Sequence, residues 1–218
     1  MTSGLLKNLQ MPDSVETAKD YYSQYKGSPA EAYMESRGLA EVAERFRIGY
    51  VGSARVGHEY LTGRLAIPYL RPAGGLHAVA TIRYRCIQPH DCKAHGGDKM
   101  LSMPGDRSRL FNTQPLILES DIVVLTEGEF DAMAWTLADV PAIGYQGVNG
   151  WRPHFTTALI GFKTVFIVAD DDPPGIKAAK ARAEELPNGQ IINLGGGHDS
   201  NSYLQMYGIE ALRKGIGL

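Results

Sequence analysis

Apolar residues recur at helical spacing through Phe46, and the residues that punctuate them are helix signals. Ser14 is placed to cap one helix. Pro29 opens a second, AEAYMESR, which stops at Gly38, and AEVAERF follows as a third. From Phe46 the period shortens to two. RFRIGYV, GRLAIPYL and LHAVATIRYR read as strands, while residues 86–115 read as loop with short extended pieces at KMLSM and RLFN. The pattern then changes again. IVVLT, PAIGY, TVFIVAD and QIINL are short apolar runs of the kind buried in parallel sheets. Between them lie EFDAMAWTLA, HFTTALI and PGIKAAKARAEEL, which read as helices, the last with Pro174 in its first turn.

Strand and helix alternate only in the second half, which predicts an α/β layer there with a parallel sheet. The boundary falls near residue 116. Residues 1–115 read as a smaller mixed α+β subdomain, and residues 116–218 as the α/β domain. A chain of 218 residues can bury both cores. No run approaches the roughly 18 apolar residues of a membrane span, and the first residues have no secretory apolar core. The expectation is a cytoplasmic protein with no membrane partner. Cys86 and Cys92 are too few for a disulfide framework.

Net charge is −2, but it is unevenly spread. Through residue 115 there are fifteen lysines and arginines against eleven acids, and beyond it seven against thirteen. A basic front half and an acidic rear half suit a chain that meets a polyanion with one part and holds a cation with the other.

In open parallel sheets ligands bind beyond the carboxyl ends of the strands. Three of those ends carry acids here. Glu127-Gly128 follows IVVLT, Asp170-Asp171-Asp172 follows TVFIVA, and a glycine run, Gly195 to Gly197, leads to Asp199 after QIINL. Asp170 and Asp172, two apart, face one side, and Asp171 points elsewhere. Asp131 lies a helical turn into its element and reads as structural or as a support behind the ligands. Carboxylates crowded together persist when a hard cation compensates them, and oxygen donors select Mg²⁺ or Mn²⁺. The competing reading is that each acid caps the helix after it; three such sites in consecutive units favour the cation.

These residues resemble the Toprim domain. TEGEFDAMA (126–134), VFIVADDDPPGIKAAK (165–180) and GGGHDSNSYL (195–204) are similar to its three blocks, in order. YMESRGLAEVAERFRIGYV (33–51), GRLAIPYL (63–70) and DKMLSMPGDRSRLFN (98–112) resemble the lead-in of bacterial- or phage-type, DnaG-like primase cores. The resemblance implies RNA-primer synthesis on single-stranded DNA from ribonucleoside triphosphates. Glu127, Asp170 and Asp172 would be catalytic and, with Asp199, hold Mg²⁺ or Mn²⁺. Glu127 as ligand or as general base stays open. Arg64 and Lys99 match basic positions of the family, and Arg83 and Arg85 share a strand face; these four are the candidates for template and nucleotide. Implied partners are a replicative helicase and a separate zinc-ribbon module. The third block departs from the family, with Ser200, Asn201 and Ser202 where a second acid often stands, and Asn201 is a candidate neutral oxygen. A Toprim nuclease and a non-catalytic nucleic-acid-binding module are the alternatives.

Two further segments carry candidate chemistry. RCIQPHDCKAH holds Cys86, His90, Cys92 and His95, all zinc-ligand types, but its spacing matches no common finger. The expectation is a plain polar loop between strands, with a small zinc site as the less favoured alternative. QGVNGWRP (146–153) either borders the acidic cleft or is a simple turn.

Overall fold

A computed structural model describes residues 13–72 and 78–218. Leu76 and His77, read as the start of a strand, lie outside the described residues, as does the N-terminal stretch scanned for a secretory core. The chain divides into two compact units. The first runs through Arg107, except that Arg37–Leu39 belong with the second, which continues from Ser108 to Leu218. Among the described residues no helix is long and apolar enough to cross a membrane.

The first unit holds helices α1 (Ser14–Ser23), α2 (Pro29–Ser36) and α3 (Ala40–Ala43) and an antiparallel sheet ordered β1-β2-β3-β4. Its strands are β1 (Gly49–Tyr50), β2 (Arg64–Leu70), β3 (Val79–Cys86) and β4 (Met100–Ser102). Ser14 is the first helical residue and is buried; Asp13 takes the capping position, in left-handed backbone and with no side-chain cap. The expected third helix and the strand RFRIGYV are both cut short. Arg47 adopts φ 51°, which ends the helical turn and delays the extended chain to Gly49. Gly49 is required at that point. A Cβ there would meet the Tyr21 backbone at 2.7 Å, so only glycine lets β1 pass against α1. Tyr21, Leu61, Ala66, Ile82 and Tyr84 form the core between helix and sheet.

The second unit is the expected Toprim-type α/β layer. It runs β5 (Ile122–Thr126), α4 (Glu129–Leu137), β6 (Ala142–Gly144), α5 (His154–Leu159), β7 (Thr164–Ala169), α6 (Pro173–Glu185), β8 (Gly189–Asn193) and α7 (Ser200–Lys214). All strand pairs are parallel, in the order β6-β5-β7-β8. Val123, Leu125, Val165 and Ile167 are buried completely or nearly so, as expected of strands packed on both faces. RLFN forms no strand: Phe111 makes one antiparallel bridge to Gly144 at the end of β6. Helix α7 exceeds the expectation from sequence. It is broken at Gly208, whose φ of 83° and ψ of 175° are not helical. Its start is pinned to α4 by the fully buried Trp135, whose Nε1 donates to Ser200 Oγ at 2.9 Å.

Candidate active site

The strand order decides where a ligand can lie. β5 sits between β6 and β7, so the chain leaves β5 toward one neighbour and later returns on its other side. Connections diverge at such a point and open a crevice beyond the strand ends. Glu127 follows β5 and Asp170 follows β7, the two strands that flank this crevice.

The side chains around it are held by backbone groups. Gly128 has an ordinary extended backbone, and its value is space, since a Cβ there would sit 2.9 Å from Asp131 Oδ2. Asp131 is buried and its Oδ1 accepts from the Asn201 N–H at 3.0 Å, which ties α4 to the start of α7. Burial, reinforced by Asp199 and Asp170, pushes the Asp131 carboxyl up to about 7, against the opposing effects of that N–H and Arg37. Asp170 is likewise pushed up to about 7, first by burial and then by Glu127, Asp199 and Asp172. These carboxylates therefore lie in one electrostatic neighbourhood. Asp131, read from sequence as structural or as a support behind the ligands, belongs to it. Its place at the third position of α4, one turn back toward the strand end, was the available signal.

Two of the acids also do the work of caps. Asp172, exposed, accepts from Gly175 N–H at 2.7 Å, and Asp199 accepts from Ser202 N–H at 2.7 Å. Asp171 points away, as expected, to Asn193 Nδ2 and Gly197 N–H, both at 2.8 Å. Gly195, Gly196 and Gly197 all have φ between 72° and 76°, the left-handed turn that carries the chain back toward Asp199. Asn201 is fully buried and donates to the Arg37 carbonyl. The QGVNG turn borders the cleft through its backbone, since Gly147 N–H donates to the Glu127 carbonyl at 3.0 Å.

Among the described residues, no three of these carboxylates bring an oxygen each within 4.8 Å of one another. The donor set still fits Mg²⁺, which holds several waters and takes only one or two carboxylates together with substrate phosphates.

In the first unit, Arg83 and Arg85 alternate with the buried Tyr84 on β3, so they share a face, and Tyr84 packs edge-on against Tyr21. Arg85 Nε donates to Tyr33 Oη at 3.0 Å. Arg64 pairs with Cys86 across the sheet and donates from Nη1 to the Asp98 carbonyl at 3.0 Å. Lys99 is exposed at the foot of β4.

The loop after β3 corrects the sequence reading. Zinc is not the less favoured reading there: Cys86, His90 and Cys92 each bring a ligand atom within 4.8 Å of the others. Cys86 Sγ lies 3.3 Å from His90 Nε2, and the hydrogen bond with Cys86 pushes the Cys92 thiol up. The spacing misled because finger patterns assume a Cys-x₂₋₄-Cys turn, whereas here one cysteine is supplied by the end of a strand.

Comparison with known proteins agrees with this architecture. Residues 124–204 match the Toprim-like family model. The chain is 41% identical over 155 residues to Gene 57 protein of Mycobacterium phage D29, an alignment covering 71% of this chain and 98% of that one. It superposes on the Aquifex aeolicus primase (zinc-binding and RNA polymerase domains) with a TM-score of 0.75 and 20% identity, covering 93% of this chain and 59% of that structure. The chain thus spans little more than half of that structure's length. The RNA polymerase domain of Mycobacterium tuberculosis primase DnaG, in complex with a double-stranded DNA oligomer with an overhang, gives 0.72 at 19% identity, covering 93% and 78%. The strand order, the acid-bearing strand ends and these matches lead to one conclusion: the chain belongs with Gene 57 protein to the Toprim proteins that share the fold of DnaG-type primase catalytic cores.

Proposed function

We propose that this chain synthesises short RNA primers on single-stranded DNA by metal-dependent nucleotidyl transfer. The observation that carries this reading is the placement of Glu127 and Asp170 on the two strands flanking the crevice, with Asp172 and Asp199 close enough to act on Asp170. Glu127, Asp170 and Asp172 would hold the catalytic cation, one or two of them directly and the rest through its waters, and Asp199 would contribute to a second. Bound there, Mg²⁺ or Mn²⁺ supplies neutralisation of triphosphate charge and a lowered pKa for the attacking hydroxyl. The 3′-hydroxyl of one nucleotide forms a bond to the α-phosphorus of the next, and pyrophosphate leaves. The protein's own part is positioning. Asp172 and Asp199 keep their loops in place by capping α6 and α7. Asp131 fixes α4 against α7. Arg64, Arg83, Arg85 and Lys99 grip template and incoming nucleotide by charge, with the arginines supplying bidentate forks. Residues 1–115 serve as the basic, template-contacting part and residues 116–218 as the catalytic part. A replicative helicase and a separate zinc-ribbon module are the fitting partners, in the cytoplasm of a bacterial or phage-infected cell.

The test is primer synthesis by the purified chain on single-stranded DNA with ribonucleotides and Mg²⁺ or Mn²⁺. Labelled dinucleotides and longer products are expected, and Asp170→Asn should abolish them. No product under either ion, with and without an added zinc-ribbon module, overturns the reading. Metal-dependent nicking of plasmid DNA without incorporation replaces it with a Toprim nuclease.

A further inference from the structure

We infer that Cys86, His90, Cys92 and His95 form a closed structural Zn²⁺ site, and that its loading holds in place the loop that carries Lys99 and grips Arg64. The nucleic-acid half of this inference rests on the function proposed above; the metal half does not.

Only one of the donors is held by the sheet. Cys86 is the last residue of β3 and is fixed on both sides, paired with Arg64 across the sheet and donating its N–H to the Lys99 carbonyl at 2.8 Å. The chain then leaves the sheet. Gln88–Asp91 and Lys93–Lys99 are exposed, so little apolar burial orders this segment. It is nevertheless tightly wound. Gly97 N–H donates to the Cys92 carbonyl at 2.8 Å, Lys93 N–H to Asp91 Oδ1 at 2.9 Å, and Gly96 takes φ 72°. The winding brings the two cysteines and His90 within 4.8 Å. Two thiols and an imidazole at that separation are a donor set for a borderline-soft ion, and zinc is the first choice among them.

His95 completes the set. Its ring stacks on that of His90 with centroids 4.6 Å apart and planes 16° from parallel. Its Nδ1 lies 2.9 Å from the Asp91 carbonyl. A histidine that donates one ring nitrogen to a carbonyl has its tautomer set, with Nε2 left as the ligand atom; this is the usual arrangement behind a metal-bound imidazole. His95 stands outside the 4.8 Å set formed by the other three, so as fourth ligand its ring would have to turn Nε2 toward the two sulfurs. Two thiolates and two imidazoles then make a tetrahedral, closed site.

The consequence lies at the loop's far end. Asp98 and Lys99 return to the sheet, where the Asp98 carbonyl takes the Arg64 guanidinium and the Lys99 carbonyl takes the Cys86 N–H. A metal bound to Cys86 therefore stiffens the strand end on which both basic residues depend.

The experiment uses the full chain purified under reducing conditions, alone and after exposure to a zinc-selective chelator. Metal analysis should find about one equivalent of zinc that survives gel filtration, as structural sites do. Co²⁺ substitution should give the absorption of a four-coordinate thiolate site. Cys92→Ser should lose the metal, and His95→Ala should bind it about 10–100-fold more weakly. Binding of a fluorescent oligo(dT), read by anisotropy without Mg²⁺, should fall about tenfold on stripping, the loss of one or two phosphate contacts. Lys99→Ala should fall by a similar factor, and stripping zinc from that variant should cost little more. Failure of the reduced wild-type chain to hold zinc overturns the site. A His95→Ala protein with unchanged affinity and Co²⁺ spectrum overturns the fourth ligand. Zinc held while oligo(dT) binds equally with and without it overturns the coupling. If neither loaded nor stripped chain binds oligo(dT), the proposed function falls and the coupling falls with it, while the zinc site is judged by its stoichiometry alone.

Discussion

The acidic cleft beyond β5 and β7 and the Cys/His loop after β3 are both suited to metal, yet they are built in opposite ways. In the cleft, the donors stand on separate strand ends and helix caps, held by a buried sheet. They are charged, they repel, and no three of them close to within 4.8 Å. In the loop, three donors lie within that distance, one fixed at the end of β3 and two on the largely exposed segment that follows it. The fold makes the first site and would persist without an ion. Beyond the end of β3 the second site has no comparable scaffold, and there the ion would supply the order. An open arrangement leaves coordination positions for substrate, as catalysis needs, whereas a closed one leaves none.

The sharpest way to break this comparison is at Asp170. Asp170→Asn should cut primer synthesis by at least about 10²-fold, the scale for losing one group that stabilises developing charge. Its melting temperature should not fall, because the change removes a repelled, half-buried charge. A variant that unfolds would show that the acid is a structural element after all. Next is Gly175→Ala. Its Cβ would lie 2.6 Å from the Asp170 carbonyl oxygen and 2.8 Å from Asp170 Cβ. It should destabilise by about 1–3 kcal/mol, as overpacking does, and displace Asp170, so that activity falls more than stability. Denaturant unfolding beside primer assays checks this.

The cleft should also show a pH signature. Asp131 and Asp170 both have folded-state values raised to about 7 from the ordinary carboxylate range. The folded chain then binds more protons than the unfolded chain between about pH 4 and pH 7. Stability of metal-free protein should fall as pH rises through that window, and added Mn²⁺ should flatten the loss. A stability that rises steadily through the same window would mean these carboxyls are ionised and well paired. The smallest effect is expected at Asp172. Asp172→Ala should cost about 1 kcal/mol by removing the cap on α6, and Asp172→Ser should restore most of it. If Asp172→Ser also restores activity, the residue is a cap and no ligand.

How much of this was legible in the chain depends on the range of the interaction concerned. The alternation that makes β5 to β8 and α4 to α6, and the acids just past the strands, are local in sequence, and periodicity reports them directly. Where local backbone broke the period, the reading overshot: Arg47 in left-handed backbone shortened β1, and Phe111 made a single bridge where RLFN promised a strand. Helix α7 was obscured by its polar opening and by the break at Gly208.

By itself, then, the sequence determined the layer architecture, the acid-bearing strand ends and the family. Tertiary structure alone decided the order β6-β5-β7-β8, which selects the crevice flanked by Glu127 and Asp170 from among the strand ends. It also decided that Asp131 joins the acidic neighbourhood and that a cysteine at a strand end meets a histidine and a cysteine from the following loop. The physical reason is that pairing order and loop closure join residues distant along the chain, and their energies depend on separations in space that a linear pattern does not encode.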